Sequence, residues 1–326
     1  GHRILFSYCQ ADTPPENGIL GYRGRYYHLY QMDATGSGLR QLTHGTFDDF
    51  SPKYLPDGRL LFVSTRRCGW HRCGAPGCEN YTLAIADADG SAPRPLSFHE
   101  TQEWDPAILN DGRIVYTRWD YVDRDTNVAH HLWLCAPDGR DPRSLHGNYP
   151  VRRESRPWME MDVRAVPGSP KFVAVTGAHH GHAFGSLVLV NHQLPDDNAV
   201  SQIERLTPDV PFPEAEGRPI QKFMAYGTPW PLSEDDFLCV YDPDAKNRGV
   251  YWIDRFGNRE LLYRDPAISC HSPIPFRPRP MPPIIPDATT QTAKAGQASG
   301  RDATATISVL NVYDSDFEWP RETRIA

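Results

Sequence analysis

The sequence predicts an all-β protein, a six-bladed β-propeller of four-stranded antiparallel blades. The main reason is an internal repeat, because DGRLLFVS at 57–64 returns as DGRIVYT at 111–117. The second reason is that each repeat spans roughly 40–50 residues of short strands and turns, which is typical of one propeller blade. The third is that no stretch shows the 3.6-residue apolar period that a helical repeat of similar length requires.

Each repeat is expected to run from an inner strand through an Asp-Gly turn, a second strand, a variable loop, a third strand, a turn and an outer strand. Degenerate second strands lie at 167–175 and 233–241, and segment 3–8 fits the same position. The third strand, its turn and the outer strand recur at 29–43, 83–97, 132–145 and 250–263. Five units are therefore legible, and residues 265–326 leave room for a sixth.

The blades are expected to occupy residues 1–286, ending in a proline-rich stretch at 276–286 that favours extended or polyproline-like backbone. Residues 287–306 lack an apolar period, which predicts a flexible loop or insertion, with a linker toward another domain as the alternative. Residues 307–326 are then a closing strand or the start of a following domain. The apolar segment 307–313 is the candidate that closes the disc beside segment 3–8, since closure removes open strand edges.

Composition narrows the class of protein. The net charge is −7 without a Lys/Arg block, which argues against a nucleic-acid surface, and no apolar run is long enough to predict a membrane span. The sequence holds no P-loop, no Rossmann fingerprint, no Ser/His/Asp order and no Cys-x-x-Cys-His haem-attachment motif. The first six residues resemble the middle of a strand, so we expect the chain to be a piece of a longer protein.

Three long motifs carry a resemblance to known proteins. They are FDDFSPKYLPDGRLLFVSTRR at 47–67, EWDP with NDGRIVYTRWDYVDR within 103–124, and TGAHHGHAFGSL at 176–187. The repeat resembles TolB-like propellers, and the motifs look like the propeller region of proteins related to the hydrazine synthase alpha subunit. The likeness spans roughly residues 1–286. It implies a periplasmic or extracellular setting and a c-type haem domain or cytochrome subunit as partner.

A cysteine-rich loop lies between the second and third strands of one blade, with Cys68, Cys73 and Cys78 among glycines and a proline. In an exported protein this loop predicts one disulfide, most simply Cys73–Cys78. The alternative is a metal site formed by Cys68, His71 and Cys73, because thiolate and imidazole suit zinc.

Histidines recur at equivalent positions of several repeats, and loops at equivalent positions converge at one face of a propeller. Imidazole and thiolate together favour zinc or copper. The candidate metal ligands are His179, His180, Cys270 and His271, with His131 and His182 in reserve. The alternative is that these side chains form hydrogen bonds within their loops and hold no ion.

Three aspartates are expected ahead of the inner strands: Asp49, Asp105 and Asp162. They could line the central channel and bind a cation, or they could tie one blade to the next through backbone amides and turns.

The predicted function is an exported scaffold or docking module associated with a c-type haem redox protein, without catalysis by this chain alone. The first alternative is an oxidoreductase subunit, hydrazine synthase alpha-like, whose metal or haem pocket is completed by propeller residues. A peptide- or glycan-binding propeller is the third reading, because one fold hosts many functions.

Overall fold

The structure is a computed structural model. It describes residues 2–9, 26–70, 79–121, 129–146, 157–179, 182–195, 201–213 and 223–288, together with Asn311 and Pro320. Within these ranges every regular element is a β-strand. The described ranges hold no helix that could cross a membrane.

The described strands form five successive antiparallel blades, one for each legible repeat. Blade 1 contains β1 (Arg3–Tyr8), β2 (His28–Asp33) and β3 (Arg40–Gln41). Blade 2 contains β4 (Asp49–Tyr54), β5 (Leu60–Ser64), β6 (Thr82–Ala86) and β7 (Arg94–Pro95). Blade 3 contains β8 (Glu103–Ile108), β9 (Ile114–Trp119), β10 (His130–Cys135) and β11 (Arg143–Ser144).

The last two blades repeat the same order. Blade 4 contains β12 (Met159–Ala165), β13 (Lys171–Gly177), β14 (Phe184–Asn191) and β15 (Ile203–Arg205). Blade 5 contains β16 (Tyr226–Pro231), β17 (Asp236–Tyr241), β18 (Gly249–Asp254) and β19 (Arg259–Tyr263). Blades 1 and 2 are separate sheets, whereas bridges between β10 and β12 and between β14 and β16 join blades 3 to 5 into one hydrogen-bonded sheet. The inner strands of blades 2 to 5 are neighbours around the axis, since β8 contacts β4 and β12, and β12 contacts β16.

Each of these four inner strands is bent by a β-bulge at the same repeat position. The register with the second strand shifts there, and the bulged residue has a positive φ, at Ser51, Asp105, Asp162 and Thr228. Proline follows three of the four, which a bulge tolerates because the ladder requires no N–H at that position. The repeated bulge therefore bends every inner strand alike.

The strand directions define two faces of the propeller. The first and third strands of each blade begin at one face, here the start face, where His130 of β10 lies beside Met159 of β12. The Asp-Gly turns lie at the opposite face, here the turn face. Gly58, Gly112 and Gly139 have positive φ in these turns, a conformation that glycine adopts without steric cost.

The hydrophobic core lies between blades. One cluster joins Leu61 and Ile85 of blade 2 to Ile114 and Tyr116 of blade 3. Three further clusters join blades 1 and 2, blades 3 and 4, and blades 4 and 5 in the same way. Strands such as β5 and β6 are buried at every position, so their successive side chains supply apolar groups to both faces of the sheet, and each face packs against a neighbouring blade.

The proline-rich stretch at 276–286, predicted to be extended or polyproline-like, contains neither strand nor helix. We call residues 272–288 the strap, because they contact blades 2, 3 and 5. The Ser272 amide donates to Thr228 Oγ1 at 3.1 Å, and the Ala288 amide donates to Asp138 Oδ2 at 2.7 Å. A Cβ on Gly112 would lie 2.3 Å from the Pro283 carbonyl oxygen, so glycine is needed where the strap passes this turn.

The predicted all-β propeller fold is confirmed. The chain divides into two compact units, 1–292 and 293–326, and all of the described strands belong to the first. Of the second unit only Asn311 and Pro320 lie in the described part. The candidate closing strand at 307–313 lies outside it except for Asn311, so the sixth blade and the closure of the disc stay predictions.

Candidate functional site

Two histidines and two tryptophans pack together at the start face, between blades 3 and 4. The His130 ring lies between Trp104 and Trp119, with ring centroids 5.8 and 4.9 Å away and interplanar angles of 22° and 13°. The His179 ring centroid lies 5.0 Å from that of His130, and its Nδ1 is 3.4 Å from His130 Nε2. We call these four residues the histidine–tryptophan cluster.

Local structure explains the cluster. Trp119 ends β9, His130 begins β10, and His179 follows β13, so three strand ends bring their side chains to one place. His130, His179 and Trp119 are at most 5% exposed, and Trp104 of β8 is the partly exposed member. A hydrogen bond between two imidazoles needs one protonated and one bare nitrogen, so this pair can share a proton in a largely apolar setting.

A second histidine pair flanks a buried carboxylate close by. His131 Nδ1 lies 2.7 Å from Glu160 Oε2, and His146 Nε2 lies 3.1 Å from Glu160 Oε1. His146 Nδ1 also lies 2.5 Å from the side-chain oxygen of Gln202. Burial alone would raise the pKa of Glu160, but the two imidazoles outweigh it and hold the pKa well below its ordinary value.

Glu160 and Glu103 each tie a blade to the preceding one, whereas Asp49 at the matching repeat position bonds within its own blade. Glu103 accepts the Leu83 amide at 2.9 Å and the Ser97 hydroxyl at 2.7 Å, both from the preceding blade. Asp49 accepts the Ser64 hydroxyl at 2.7 Å and pairs with Arg66 at 2.7 Å. All three carboxylates are fully buried at the start of an inner strand. For Asp49 the structure thus shows a structural hydrogen-bonding role.

Asp105 and Asp162 are the bulged residues of β8 and β12, each two positions after the buried glutamate of its strand. The Asp162 amide donates to Asp105 Oδ2 at 3.3 Å, and Asp162 Oδ1 pairs with Arg164 Nη2 at 2.8 Å. Burial, and then the charge of Asp162, raises the pKa of Asp105 to about 6. Burial, and then Arg164, lowers the pKa of the nearby Lys53 to about 8. The protein's own cations therefore face both carboxylates.

The structure separates the predicted metal ligands into different groups. His131 contacts Glu160 and His179 contacts His130, whereas His182 and His271 are exposed. His271 Nδ1 lies 2.8 Å from the Ser272 hydroxyl, and its ring meets Phe184 edge-on at 6.0 Å. The Cys270 amide donates to the Arg248 carbonyl at 2.8 Å.

His180 lies outside the described residues, so the predicted set cannot be assembled as a whole. Within the part of the chain that the structure covers, no three His, Cys, Asp or Glu residues form a group that could hold a metal ion. The zinc or copper site stays a prediction.

The predicted disulfide also falls outside the described residues, because Cys73, Cys78 and His71 are not among them. The cysteines that the structure does describe are free thiols: Cys9, Cys68, Cys135, Cys239 and Cys270.

Exposed aromatic side chains collect on the start face of blades 1 and 2. Trp70 follows β5 and is 63% exposed, and Phe98 precedes β8 and is 62% exposed. Tyr8 at the end of β1 and Tyr27 before β2 are 52% and 46% exposed. We call these four residues the aromatic surface. Exposed aromatic groups of this kind are enriched where proteins bind other proteins.

Sequence reasoning missed the tryptophans of the cluster and the Glu160 pairs. A signal was present for Glu160, because Asp49, Glu103 and Glu160 occupy matching positions of the repeat and are all acidic. Trp104 and Trp119 gave no such signal, since tryptophan next to aspartate in a strand also fits ordinary core packing.

No family model matches this chain. An uncharacterised protein of Agrobacterium fabrum is 23% identical over 146 residues, which cover 43% of this chain and 46% of that protein. Among solved structures, hydrazine synthase of Kuenenia stuttgartiensis has a TM-score of 0.65 and 18% identity, covering 86% of this chain and 40% of that one. TolB of Acinetobacter baumannii has a TM-score of 0.51 and 14% identity, covering 81% and 53%.

The chain therefore has a β-propeller fold similar to that of TolB. The resemblance to the propeller of hydrazine synthase, predicted from the three motifs, is confirmed at the level of the fold. The chain covers about half or less of the length of each of these relatives.

Proposed function

We propose that this chain is an exported β-propeller, periplasmic or extracellular, that serves as a docking module for a c-type haem domain or cytochrome subunit. The observation that carries the proposal is the structural similarity to hydrazine synthase over 86% of the chain. The motif resemblance, which implies haem-bearing neighbours and export, supports the same function.

The start face supplies the contact surface in this proposal. Trp70 and Phe98 are large and exposed, and they lie in the connections that follow β5 and precede β8, where the start face is formed. Aromatic groups contribute much of the binding energy at protein interfaces, because they bury large areas at low entropic cost. The turn face is less available, since the strap already covers part of it.

The alternative function is an oxidoreductase subunit whose metal or haem pocket is completed by propeller residues. The observation that favours it is the 3.4 Å contact between the imidazoles of His130 and His179 at the same face. Imidazoles in this arrangement suit zinc or copper, and His180 follows directly in the chain.

The test starts from the natively purified, full-length protein with its partners. We expect haem absorption bands in the assembly, and their absence would overturn both redox functions. Replacing Trp70 and Phe98 together by Ser should release the haem-bearing partner during gel filtration. The matched control is Phe256→Ser, which removes an aromatic side chain that is 77% exposed at the turn face and should leave the assembly intact.

The same preparation separates the docking module from the oxidoreductase subunit. His179→Ala should leave both the haem spectrum and the metal content of the assembly unchanged if the propeller only docks its partner. A shifted haem spectrum, or the loss of a bound transition metal with the assembly still intact, would favour the oxidoreductase.

A further inference from the structure

Positive charge exceeds negative charge among the side chains around the inner-strand bulges and the strap, although the whole chain carries −7. Two cations lie on inner strands just beyond the bulges, and two lie on the strap. Two carboxylates lie between them. This channel cluster consists of Lys53, Arg164, Arg277, Arg279, Asp105 and Asp162.

The bulges and the strap bring these side chains together. Lys53 and Arg164 each stand two residues after a bulged residue of positive φ, so they occupy equivalent positions of β4 and β12. Lys53 is close enough to Arg164 for their charges to interact, and Arg164 interacts in turn with Arg279. The Arg279 guanidinium lies 4.8 Å from the centroid of the Trp230 ring, which holds it beside the inner strand β16.

The contacts leave much of the positive charge uncompensated. Arg164 is paired with Asp162. Within the part of the chain that the structure describes, Lys53 Nζ donates only to the backbone carbonyls of Ser51 and Pro52, at 3.4 and 3.2 Å. Among the described residues no carboxylate oxygen lies within ion-pair distance of Lys53 Nζ. An ammonium group has three donors, so one remains for a ligand.

We propose that the channel cluster binds a small dianion, a phosphate or a dicarboxylate, between Lys53 on β4 and the guanidinium groups of Arg164 and Arg279. Four cations against two carboxylates leave two positive charges, which a dianion neutralises. Guanidinium groups bind the paired oxygens of carboxylate and phosphate, and an ammonium adds a further charge-assisted hydrogen bond.

The protonation states of the cluster give the site a pH dependence. Burial lowers the pKa of Lys53 to about 8, so the ammonium, and with it the affinity for an anion, is lost as the pH rises through that value. The pKa of Asp105 is raised to about 6, so protonation of this carboxylate below that pH strengthens the binding. The charges acting on Lys53 come from Arg164, Asp162 and Asp105, while Arg3 of β1 acts on the neighbouring Tyr54.

The number of lysines makes the site easy to observe. The chain contains five, so this chain labelled with [13C]lysine gives five Cε signals in an NMR spectrum. Inorganic phosphate and succinate are added separately at constant ionic strength, with sodium chloride as the reference. We expect a saturable shift of the Lys53 signal and a rise of its titration midpoint by about one pH unit or more, because a neighbouring anion stabilises the ammonium.

Variants assign the binding to the cluster. Lys53→Met should weaken the better-bound anion about tenfold or more by calorimetry, whereas Lys53→Arg should retain most of the affinity. The control is Arg113→Gln, which removes an exposed, Asp111-paired arginine of the turn face and should change nothing. Melting curves verify that each variant is folded.

The proposal is overturned if neither anion moves the Lys53 signal, if all of the lysine signals move together, or if Lys53→Met binds as well as the natural chain. The anion that raises the Lys53 midpoint more at equal concentration identifies the ligand as a phosphate or a dicarboxylate.

Discussion

Arg59 and Asp287 are 228 positions apart in the chain, and they form a two-pronged ion pair with both N···O distances at 3.0 Å. Arg59 belongs to the first Asp-Gly turn of blade 2, and Asp287 lies near the end of the strap. This pair fastens the strap, which departs after blade 5, to blade 2. Both side chains are partly exposed, so the pair contributes modestly to stability and chiefly holds the strap in position.

Asp287→Asn should therefore lower the free energy of unfolding by only about 0.5–1 kcal/mol. The local effect should be larger, because the next residue, Ala288, donates its amide to Asp138. We expect hydrogen exchange at the Ala288 amide to accelerate about tenfold, which corresponds to about 1.4 kcal/mol of local stability. Asp141→Asn removes an exposed ion pair with Arg143 and serves as the control. Unchanged exchange at Ala288 in Asp287→Asn would show that the prolines alone position the strap.

Glu160→Gln should be among the most destabilising single changes in the propeller. The substitution leaves the buried imidazoles of His131 and His146 without their carboxylate, for an expected loss of about 3–5 kcal/mol in denaturant unfolding. Glu260→Gln, at an exposed position of β19, should change stability by less than about 0.5 kcal/mol.

The Glu160 tie also gives a pH dependence with a definite sign. The folded pKa of Glu160 lies below its ordinary value, so the stabilisation is fully present above the unfolded pKa of 4.5. It is lost as the pH falls below that value toward the folded pKa. The free energy of unfolding of Glu160→Gln should therefore fall less steeply between pH 4.5 and lower pH than that of the natural chain. Equal slopes for the two proteins would show that Glu160 is not the group responsible.

Asp105→Asn should have the opposite effect on stability. The folded pKa of Asp105 is raised to about 6, so ionisation opposes folding, and stability declines as the pH rises from about 4 to about 6. Above pH 6 the buried carboxylate is ionised in the folded protein, so its full destabilising effect is present. The substitution should then raise the free energy of unfolding by about 1–3 kcal/mol at pH 7. Below about pH 4 the two proteins should be equally stable. If Asp105→Asn is instead less stable than the natural chain at pH 7, the hydrogen bond from the Asp162 amide to the Asp105 carboxylate stabilises the fold more than the buried charge destabilises it.

The predicted disulfide is checked on protein purified from an oxidising compartment. Non-reducing peptide mapping should recover Cys73 joined to Cys78, because Gly74, Pro76 and Gly77 permit the tight ring that the bond closes. Cys239, which is fully buried, is the internal reference for an unreacted thiol. Recovery of both loop cysteines as free thiols would favour the metal site with Cys68 and His71.

Removal of residues 300–326 tests the closure of the disc. If segment 307–313 pairs at the open edge of blade 1, the deletion should lower the melting temperature sharply, by about 5 °C or more. Removing only 314–326 is the control. An unchanged midpoint in the longer deletion would place the segment in a different domain.

The blades could be predicted because turns and strands leave local patterns in the sequence. Contacts between residues far apart in the chain could not be predicted in this way. The Asp-Gly turn at 57–58 fixes a hairpin by its own chemistry, and its repetition counts the blades. The β-bulge at Asp105 was not predicted. Pro106, the next residue, was a usable signal for it, because proline has no N–H to donate in a regular central strand. Nothing in the sequence joins Asp287 to Arg59.

The candidate site shows the same limit. His179 was selected for its histidine-rich loop, but its main neighbour His130 comes from another blade. Trp104 and Trp119 join them from two further strands, so the stack exists only once four strand ends meet. Spacing along one strand predicts the side of the sheet that a residue occupies, and it does not predict which ring lies opposite.

The placement of the core between blades, as in the cluster of Leu61 with Tyr116, determines how this chain acquires its structure. No described blade encloses an apolar interior of its own, so a blade leaving the ribosome has nothing to pack against until the next one has been made. Folding is then expected to advance by nearest-neighbour docking, as in repeat proteins. A fragment that ends between two blades exposes one side of the hydrophobic cluster that joined them. The tendency of such a fragment to aggregate should therefore depend on which cluster was divided.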